Sequence, residues 1–439
     1  MTVGFRHTAR SVDDDEPPGR SASRWRDDLA LVPQERRRVT VPLLLIFGAL
    51  AGLSPLATDM YLAAFPQMSR DLAAPASMIQ LTLSAFMVGL GVGQLVIGPL
   101  SDQIGRRRPL LVGSLVCFLA SLGCTLAPTV ELLVACRFVM GFSGAAGVVI
   151  ARSMISDLSE GDETTRFMNY MMMITGVSPV LAPSLGGVVL ALGDWRLVFT
   201  VITVATAVLA LAVFFVVPES LAPAARHSGG VRQVFTGIAT MVRRPRYLGF
   251  ALAGVASFGT LFAYVSGSTY VLQNRLGLSE TQYVIAFAVN AAGMLLATAL
   301  ANALLRRFTS AQIVLRAQAV VALSALALLA MSVTGVSLVP VLVLLFVCVA
   351  GQGLIFGNTS ALALDAGRDH AGTSSALMGA AQFAVGGFVS PLVGLGGDEA
   401  VLPMALCMAV CALLSLLIFA ATHRGTSAPS RMTPAAASR

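Results

Sequence analysis

Residues 98–108 read Gly-Pro-Leu-Ser-Asp-Gln-Ile-Gly-Arg-Arg-Arg and stand between two long apolar runs, near 78–100 and 108–127. Gly105 permits a backbone reversal with positive φ, which residues with a Cβ rarely adopt. The three arginines indicate the cytoplasmic side of a membrane, where loops are enriched in basic residues. Asp102 can pair with an arginine or lie against the positive end of a helix. The stretch is predicted to be a short cytoplasmic turn between two transmembrane helices.

The composition requires a lipid environment. Of the 439 residues, 56% are hydrophobic and only 12% are charged, and the mean hydropathy is +0.81. Such a chain cannot keep its apolar surface away from water as a soluble globule. The net charge of +7 does not indicate a nucleic-acid partner, because the basic residues stand between apolar runs and not on one soluble face. We expect membrane lipid, and no nucleic acid, around this chain.

Uncharged apolar runs of about 20 residues, the length that crosses about 30 Å of hydrocarbon, recur along the whole chain. Together they predict an all-α membrane protein with twelve transmembrane helices. The predicted spans lie near residues 40–65, 78–100, 108–127, 131–154, 166–192, 197–217, 247–270, 281–305, 310–333, 338–363, 371–395 and 400–422.

The longest internal connection divides the spans into two sets of six. Two such sets joined by a polar loop suit a transporter whose halves rock about a cavity near the midplane. The first 38 residues are polar, without the apolar core of a signal peptide. The predicted parts are a disordered cytoplasmic tail (1–38), an N-terminal six-helix bundle (39–217), a central cytoplasmic loop (218–246), a C-terminal six-helix bundle (247–422) and a cytoplasmic C-terminal tail (423–439).

The arginines orient the bundle. With the amino terminus inside, only Arg70, Arg196 and Arg275 face outward, and cytoplasmic segments hold nearly all the rest. Both termini are therefore predicted to be cytoplasmic, in a multi-pass protein of a bacterial inner membrane. Three arginines fall within predicted spans: Arg137, Arg152 and Arg316.

The quoted stretch resembles the signature loop of the major facilitator superfamily, GxLaDrxGrr, at the expected place between the second and third spans. The alternative is an ordinary basic loop. Gln103 departs from the family pattern, which usually has Arg there. The resemblance implies a conformational gate in which Asp102 docks near Gly372 to Ser374, at the start of the eleventh span. The gate residues are Gly98, Asp102, Gly105, Arg106 and Arg107.

The corresponding turn of the second half retains only part of this pattern. It runs from Asn302 to Thr309 and contains Arg306 and Arg307, without the acidic residue of the first.

Arg137 lies in the fourth span, in the run Cys-Arg-Phe-Val-Met-Gly at 136–141. The run resembles the RxxxG segment of the superfamily, which is implicated in proton transfer in proton-coupled members. A charge within a span is costly and usually marks function or a buried pair. The alternatives are a structural bridge and a side chain that extends to the outer interface.

Small and kinking residues follow one face of the fifth span. The segment resembles the antiporter motif that distinguishes exporters from importers in the superfamily and lets two helices approach across the bundle interface. Generic helix packing is the alternative. The residues are Gly176, Pro179, Pro183, Gly186 and Gly187.

Asp59 is the acidic residue of the first span, in Leu-Ala-Thr-Asp-Met-Tyr-Leu-Ala-Ala-Phe-Pro at 56–66. This run resembles the TDMYLPAxP segment of the Bcr/CflA group of multidrug and chloramphenicol exporters. Runs at 152–158 and 370–379 resemble that group as well. The resemblance implies a proton-titrating, cation-sensing carboxylate, with Arg137 as its coupling partner. The alternative is an exposed acid just past the membrane.

Other polar groups in the apolar helices are candidates for a substrate cavity, or else hydrogen-bond to neighbouring helices. They are Tyr61, Asn290, Gln352, Asn358 and Gln382. The six cysteines lie in apolar stretches without metal-ligand spacing, so we expect packed thiols and no metal site.

Together these features predict a proton-coupled efflux antiporter that exports small amphipathic drugs or metabolites by alternating access. We expect a monomer with a small-molecule substrate and protons as its partners. A proton gradient would supply the energy without a cofactor, and no GxxxxGK[ST] phosphate loop occurs. A proton-coupled importer is the alternative. A membrane enzyme or receptor is disfavoured, since no cluster of His, Cys or paired acids is present for chemistry.

Overall fold

The structure is a computed structural model that describes residues 39–160, 162–223, 226, 236, 238–367, 371–395 and 401–427. Within these ranges the secondary structure is helical and contains no strand. The predicted tail 1–38, much of the predicted central loop 218–246 and residues 428–439 lie outside the described residues.

Twelve long helices occupy the described ranges, and each overlaps one predicted span. Their ends differ from the predicted ends by a few residues, which is the usual error for helix termini. They are α1 (Val41–Asp59), α2 (Ala76–Ile104), α3 (Arg107–Leu126), α4 (Val130–Leu158), α5 (Asp162–Leu192), α6 (Trp195–Val216), α7 (Pro245–Thr269), α8 (Glu280–Leu304), α9 (Ser310–Thr334), α10 (Leu338–Ala366), α11 (Ala371–Gly394) and α12 (Val401–Ser427).

Eleven helical stretches within the described residues are long and apolar enough to cross a membrane. The remaining long helix, α5, has 31 residues, and its described apolar part is Leu181–Leu192. The chain is thus an all-helical, multi-pass membrane protein.

The first predicted span is not one continuous helix. After α1 ends at Asp59, the chain forms a 3₁₀ turn, Leu62–Ala64, and then a seven-residue helix, Phe65–Asp71. Pro66 lies in the first turn of that short helix, where a missing backbone N–H costs nothing. A π-helical turn, Tyr270–Arg275, extends α7 in a similar way.

The last helix is longer than predicted. The sequence predicts that the last span ends at 422 and that the C-terminal tail begins at 423, and α12 continues to Ser427. Arg424 lies in the last turn, where a cation interacts favourably with the negative end of the helix dipole.

Most helices pack against helices of their own half of the chain. Among the first six helices, α2 packs on α4, α3 packs on α4 and α6, and α1 packs on α5. Among the last six, α7 packs on α10, α11 and α12, and α10 packs on α8 and α9. Two further pairs, α2 with α11 and α5 with α8, join the first six helices to the last six. Small residues permit the closest of these approaches: a Cβ on Gly141 of α4 would lie 2.1 Å from the Phe86 carbonyl oxygen of α2.

Candidate functional site

Asp59 ends α1 inside the protein. Its residue is only 8% exposed, and its carboxylate has no hydrogen bond or ion pair within the described part of the chain. The alternative position, an exposed acid beyond the membrane, is therefore wrong. A buried carboxylate without a partner is costly in its charged form, and such groups usually mark functional sites.

The neighbours of Asp59 include two tyrosines from the second half of the chain. The carboxylate is close enough to Tyr264 on α7 and Tyr283 on α8 to interact electrostatically with both. Asn290 Nδ2 donates to the Tyr264 hydroxyl oxygen at 2.8 Å, and the Thr269 and Tyr283 hydroxyl groups are hydrogen-bonded to each other at 2.9 Å. Since the Tyr264 hydroxyl oxygen already accepts a hydrogen bond from Asn290, its O–H remains able to donate elsewhere.

Arg137 is fully buried in the first half. Its Nη1 donates to the Ala57 carbonyl at 3.0 Å, its Nη2 to the Tyr61 hydroxyl at 3.2 Å and its Nε to the Thr82 carbonyl at 3.4 Å. The guanidinium also lies 4.3 Å from the centre of the Phe86 ring and 4.6 Å from that of Tyr61. The alternative of a side chain that extends to the outer interface is wrong.

Arg137 and Asp59 do not form an ion pair, and no carboxylate in the described part of the chain pairs with Arg137. The arginine binds the carbonyl of Ala57, two residues before Asp59. Positions two apart on a helix do not face the same side. Arg137 therefore holds the backbone at the end of α1, next to Asp59, without touching the carboxylate.

The two irregular segments meet beside Asp59. Thr269 Oγ1 donates to the Leu62 carbonyl at 3.1 Å, and Gln273 Nε2 donates to the Ala63 carbonyl at 3.2 Å. These bonds join the 3₁₀ turn after α1 to the end of α7, and so join the two halves of the chain at the membrane face opposite the 98–108 turn. We call this contact the seam.

The predicted cavity residues fall into separate groups. Tyr61 contacts Arg137, and Asn290 contacts Tyr264 near Asp59. Gln352 is fully buried and accepts from Ser257 Oγ at 2.5 Å, which binds α10 to α7. Asn358 is buried and donates to the Leu354 carbonyl of its own helix. Gln382 is partly exposed.

The turn between α2 and α3 has the predicted geometry, since Gly105 has φ of 98°. Arg106 is buried beside it and organises three helix ends. Its guanidinium pairs with Asp102 of α2, donates to Ser101 Oγ at 2.8 Å and donates to Asp157 Oδ2 of α4 at 3.0 Å. We call Arg106, Asp102 and Asp157 the first-half charge cluster. Among the described side chains the partner of Asp102 is thus Arg106, and docking of Asp102 near Gly372 to Ser374 stays a prediction.

Glu219 covers the same turn from the segment after α6. Its carboxylate accepts from the backbone N–H groups of Arg106 at 2.8 Å and Arg107 at 3.3 Å, at the start of α3. Arg107 Nη2 in turn donates to the Phe214 carbonyl at 2.9 Å. Gly98 lies one helical turn before Asp102 and packs near Val149, 3.2 Å from where its Cβ would be.

The small residues of α5 pack against both halves. A Cβ on Gly186 would lie 1.9 Å from the Met60 carbonyl oxygen at the end of α1, and one on Gly187 would lie 2.9 Å from Val284 of α8. Pro183 is buried one turn earlier. The surroundings of Gly176 and Pro179 on α5 are outside the described set.

Sequence reasoning missed four residues of these arrangements. Asp157 lies within the 152–158 run, and Glu219 directly follows Pro218 at the end of a span, so an acid beside each of these helix ends was an available signal. Tyr264 and Tyr283 carried no such signal, because aromatic residues in apolar helices are usually packing groups.

Comparisons with known proteins agree with this architecture. Residues 47–391 match the Major Facilitator Superfamily. An uncharacterized MFS-type transporter of Bacillus subtilis, YdgK, is 35% identical over 88% of this chain and 96% of its own length. A bicyclomycin resistance protein homolog of Haemophilus influenzae is 29% identical over 88% of this chain and 96% of its own.

A solved structure has the same fold at low identity. A bacterial homologue of the human lysosomal transporter Spinster, inward-facing and unoccupied, superposes with a TM-score of 0.68 at 15% identity, over 89% of this chain and 98% of that one. The match to the superfamily covers most of the sequence and agrees with the membrane helices. The chain belongs to the major facilitator superfamily and is a multi-pass transporter of small molecules in the bacterial inner membrane, not an enzyme.

Proposed function

We propose that this transporter is a proton-coupled efflux antiporter in which Asp59 binds either a proton or the substrate. The observation that carries the proposal is the buried Asp59 carboxylate, which has no protein partner in the described residues and lies between the two halves of the chain. An unpaired carboxylate in such a place is stable when protonated or when a ligand supplies the missing donor or charge. Each state excludes the other, which is the requirement for exchange.

The proposed substrates are small amphipathic drugs or metabolites. Two features support export of drugs: the resemblance of residues 56–66 to the Bcr/CflA group, and the relative of Haemophilus influenzae that is named for bicyclomycin resistance. The aromatic side chains around Asp59, among them Phe287 stacked on Tyr264 at 5.5 Å, suit ligands with apolar rings.

The proposed architecture has twelve spans in two six-helix bundles with both termini in the cytoplasm. In this arrangement the charged turn at Gly105 is cytoplasmic and the seam lies at the outer face. Opening the outer side then requires the bonds of Thr269 and Gln273 to break, while the cytoplasmic side closes as the halves rock. Alternating access in this form requires no metal or cofactor, and one chain suffices.

Proton movement supplies enough energy for this cycle. One charge that moves through about 100 mV releases about 2.3 kcal/mol. That free energy supports a roughly fifty-fold gradient of a neutral solute. We propose that a proton from outside neutralises Asp59, that Arg137 holds the end of α1 in place during this step, and that substrate from the cytoplasm displaces the proton inward.

The gate residues and the small face of α5 have supporting roles in the proposal. The first-half charge cluster stabilises one arrangement of the cytoplasmic ends of α2, α3 and α4. Gly186 and Gly187 let α5 lie against α1 and α8 at once, where a larger residue would separate them.

The test uses everted membrane vesicles from an efflux-deficient bacterium that expresses the chain. Respiration acidifies the vesicle interior, so an antiporter takes up chloramphenicol or bicyclomycin and dissipates the pH gradient, whereas an importer by symport moves the drug outward. We expect uptake in the parent, loss of it in Asp59→Asn and retention in Asp71→Asn. Asp71 is the matched control because it is an exposed acid that accepts a hydrogen bond from Trp195. Drug uptake and resistance that survive Asp59→Asn would contradict coupling through Asp59.

A further inference from the structure

The described structure has a groove between α8 and α9 that the proposed transport cycle does not use. Both helices pack along α10, whereas they do not pack along one another. A cavity of about 240 Å³ opens in the resulting wedge. Leu304, Phe308, Ile313 and Val320 form its sides, Arg316 lies at its mouth, and Leu354 and Gly351 of α10 form its floor.

The mouth of the groove is positively charged. Arg316 is exposed, and its guanidinium lies over the Phe308 ring, 4.4 Å from the ring centre. Arg306 and Arg307 are exposed on the adjoining turn, Leu305–Thr309. In the described part of the chain, none of the three side chains donates a hydrogen bond or pairs with an acid.

The described lining of the groove contains no acidic residue. The sequence contains no Asp or Glu between Glu280, at the far end of α8, and Asp365, at the end of α10. Helix α12, which also packs on α9, contains none. Arg316 is the seventh residue of α9, so it lies about 9 Å along the helix from its start. A cation at that depth in a span requires an anion from outside the chain or an extended path to water.

We propose that this groove binds one anionic phospholipid, with the phosphate on Arg316 and the start of an acyl chain in the cavity. A guanidinium that contacts a ring with its face keeps its N–H groups free to bind two phosphate oxygens at once. Arg306 and Arg307 add positive charge at the level of the headgroup. Basic pockets between transmembrane helices on the cytoplasmic side are suited to such lipids.

The cavity has the size and the lining that an acyl chain needs. An engineered apolar cavity of about 150 Å³ stays dry and binds benzene, so a cavity of about 240 Å³ holds several methylene groups. The groove opens on an apolar outer surface, since Val320 is 49% exposed and Leu323, one turn further, is 69% exposed. A lipid is the occupant that combines an anionic group, for the arginines, with a long apolar chain, for the cavity.

The experiment measures lipid binding to the purified full chain in detergent by native mass spectrometry. Phosphatidylglycerol and phosphatidylcholine with identical acyl chains are the probes. We expect the parent to bind one phosphatidylglycerol more tightly than phosphatidylcholine. Arg316→Gln should weaken phosphatidylglycerol binding about five- to tenfold, which is the effect of one lost arginine contact. Val320→Trp, which narrows an exposed wall of the groove, should weaken binding of the lipid without altering the charge.

Arg108→Gln is the matched control, because Arg108 is an exposed arginine beside the corresponding turn of the first half. It should leave phosphatidylglycerol binding unchanged. The double variant Arg306→Gln/Arg307→Gln, outside any helix, serves if Arg316→Gln does not purify, and it should also weaken binding. Equal binding of the two lipids, or equal loss in Arg108→Gln, overturns the proposal. So does binding of inorganic phosphate as tight as that of phosphatidylglycerol, because the acyl chain would then contribute nothing and the groove would be a simple anion site.

Discussion

Two turns occupy corresponding positions in the two halves of this transporter and treat their charges in opposite ways. In the turn between α2 and α3, Arg106 is buried, paired with Asp102 and Asp157, and covered by Glu219. In the turn between α8 and α9, Arg306 and Arg307 are exposed without an acidic partner in the described residues. The arginine charge is neutralised by acids of the protein in the first turn, whereas in the second turn it is available to groups outside the protein. The two turns are similar in sequence, but the first binds its own helix ends together and the second presents a positive charge.

The largest effect is expected from Arg106→Gln. This change leaves Asp157 and Asp102 close together without their common cation, and removing one member of a buried charge network is strongly destabilising. We expect a loss of about 2–3 kcal/mol in stability, because Asp102 is partly exposed and water compensates some of the loss. Thermal unfolding in detergent measures it. Arg306→Gln, the corresponding change in the second turn, should stay within about 0.5 kcal/mol. Equal losses in the two variants would remove the difference between the turns.

Gly105→Ala is expected to follow. Gly105 has φ of 98° and ψ of 163°, a region that is almost restricted to glycine, and a Cβ there would lie 2.5 Å from Glu219 Oε2. The expected cost is about 2 kcal/mol, accompanied by reduced drug uptake in vesicles. Gly277→Ala is the control, since Gly277 has φ of 71° but open space around it, and the cost there should be about 1 kcal/mol. A cost at Gly105 no greater than at Gly277 contradicts the close contact with Glu219.

Glu219→Gln sharpens the comparison with a smaller effect. The carboxylate accepts two backbone N–H groups at the start of α3, where a negative charge interacts favourably with the helix dipole. The amide keeps one acceptor and loses the charge, so we expect a cost of about 0.5–1 kcal/mol that decreases as salt is added. Denaturation at low and high salt measures it. A cost that is independent of salt would indicate packing in place of the charge.

Gln312→Glu is the smallest change, and it gives the second turn the acid that it lacks. Gln312 accepts from the Thr309 N–H at the start of α9, and a carboxylate there keeps that capping bond, suits the helix dipole and stands four residues before Arg316, the favourable order for a helical ion pair. We expect a gain of about 0.3–0.5 kcal/mol. The same pair should compete with an anionic lipid for Arg316, so phosphatidylglycerol binding should weaken while phosphatidylcholine binding does not change. Unchanged phosphatidylglycerol binding would separate Arg316 from the lipid.

The sequence was sufficient for the features that depend on local patterns. Apolar length predicted the helices, and Gly105 predicted a positive φ, because both are properties of short stretches of chain. The break after Asp59 was missed although Pro66 was visible, since Pro at the start of a helix and Pro that ends one look alike in sequence. The end of α12 was missed because basic residues near 423 suit either a tail or a last helical turn.

Partners that are distant in sequence could not be predicted. Arg106 and Asp157 are 51 positions apart, and Asp59 meets Tyr264 and Tyr283 only after the two halves assemble. The sequence offered Arg137 as a partner of Asp59, but backbone carbonyls hold that arginine instead. Backbone acceptors are present at every residue and leave no mark in the sequence.

The seam between the halves shows what backbone acceptors imply for which positions can change in evolution. Its acceptors are the carbonyls of Leu62 and Ala63, while its donors are the side chains of Thr269 and Gln273. Mutation at 62 or 63 changes shape but cannot delete an oxygen that every amino acid carries. Mutation of 269 or 273 to a residue without a hydrogen-bond donor deletes the bond outright. Variants of this transporter with altered opening on that side should therefore accumulate on one wall of the contact, and a lineage that drifts freely at 62 and 63 should still preserve hydrogen-bonding side chains opposite.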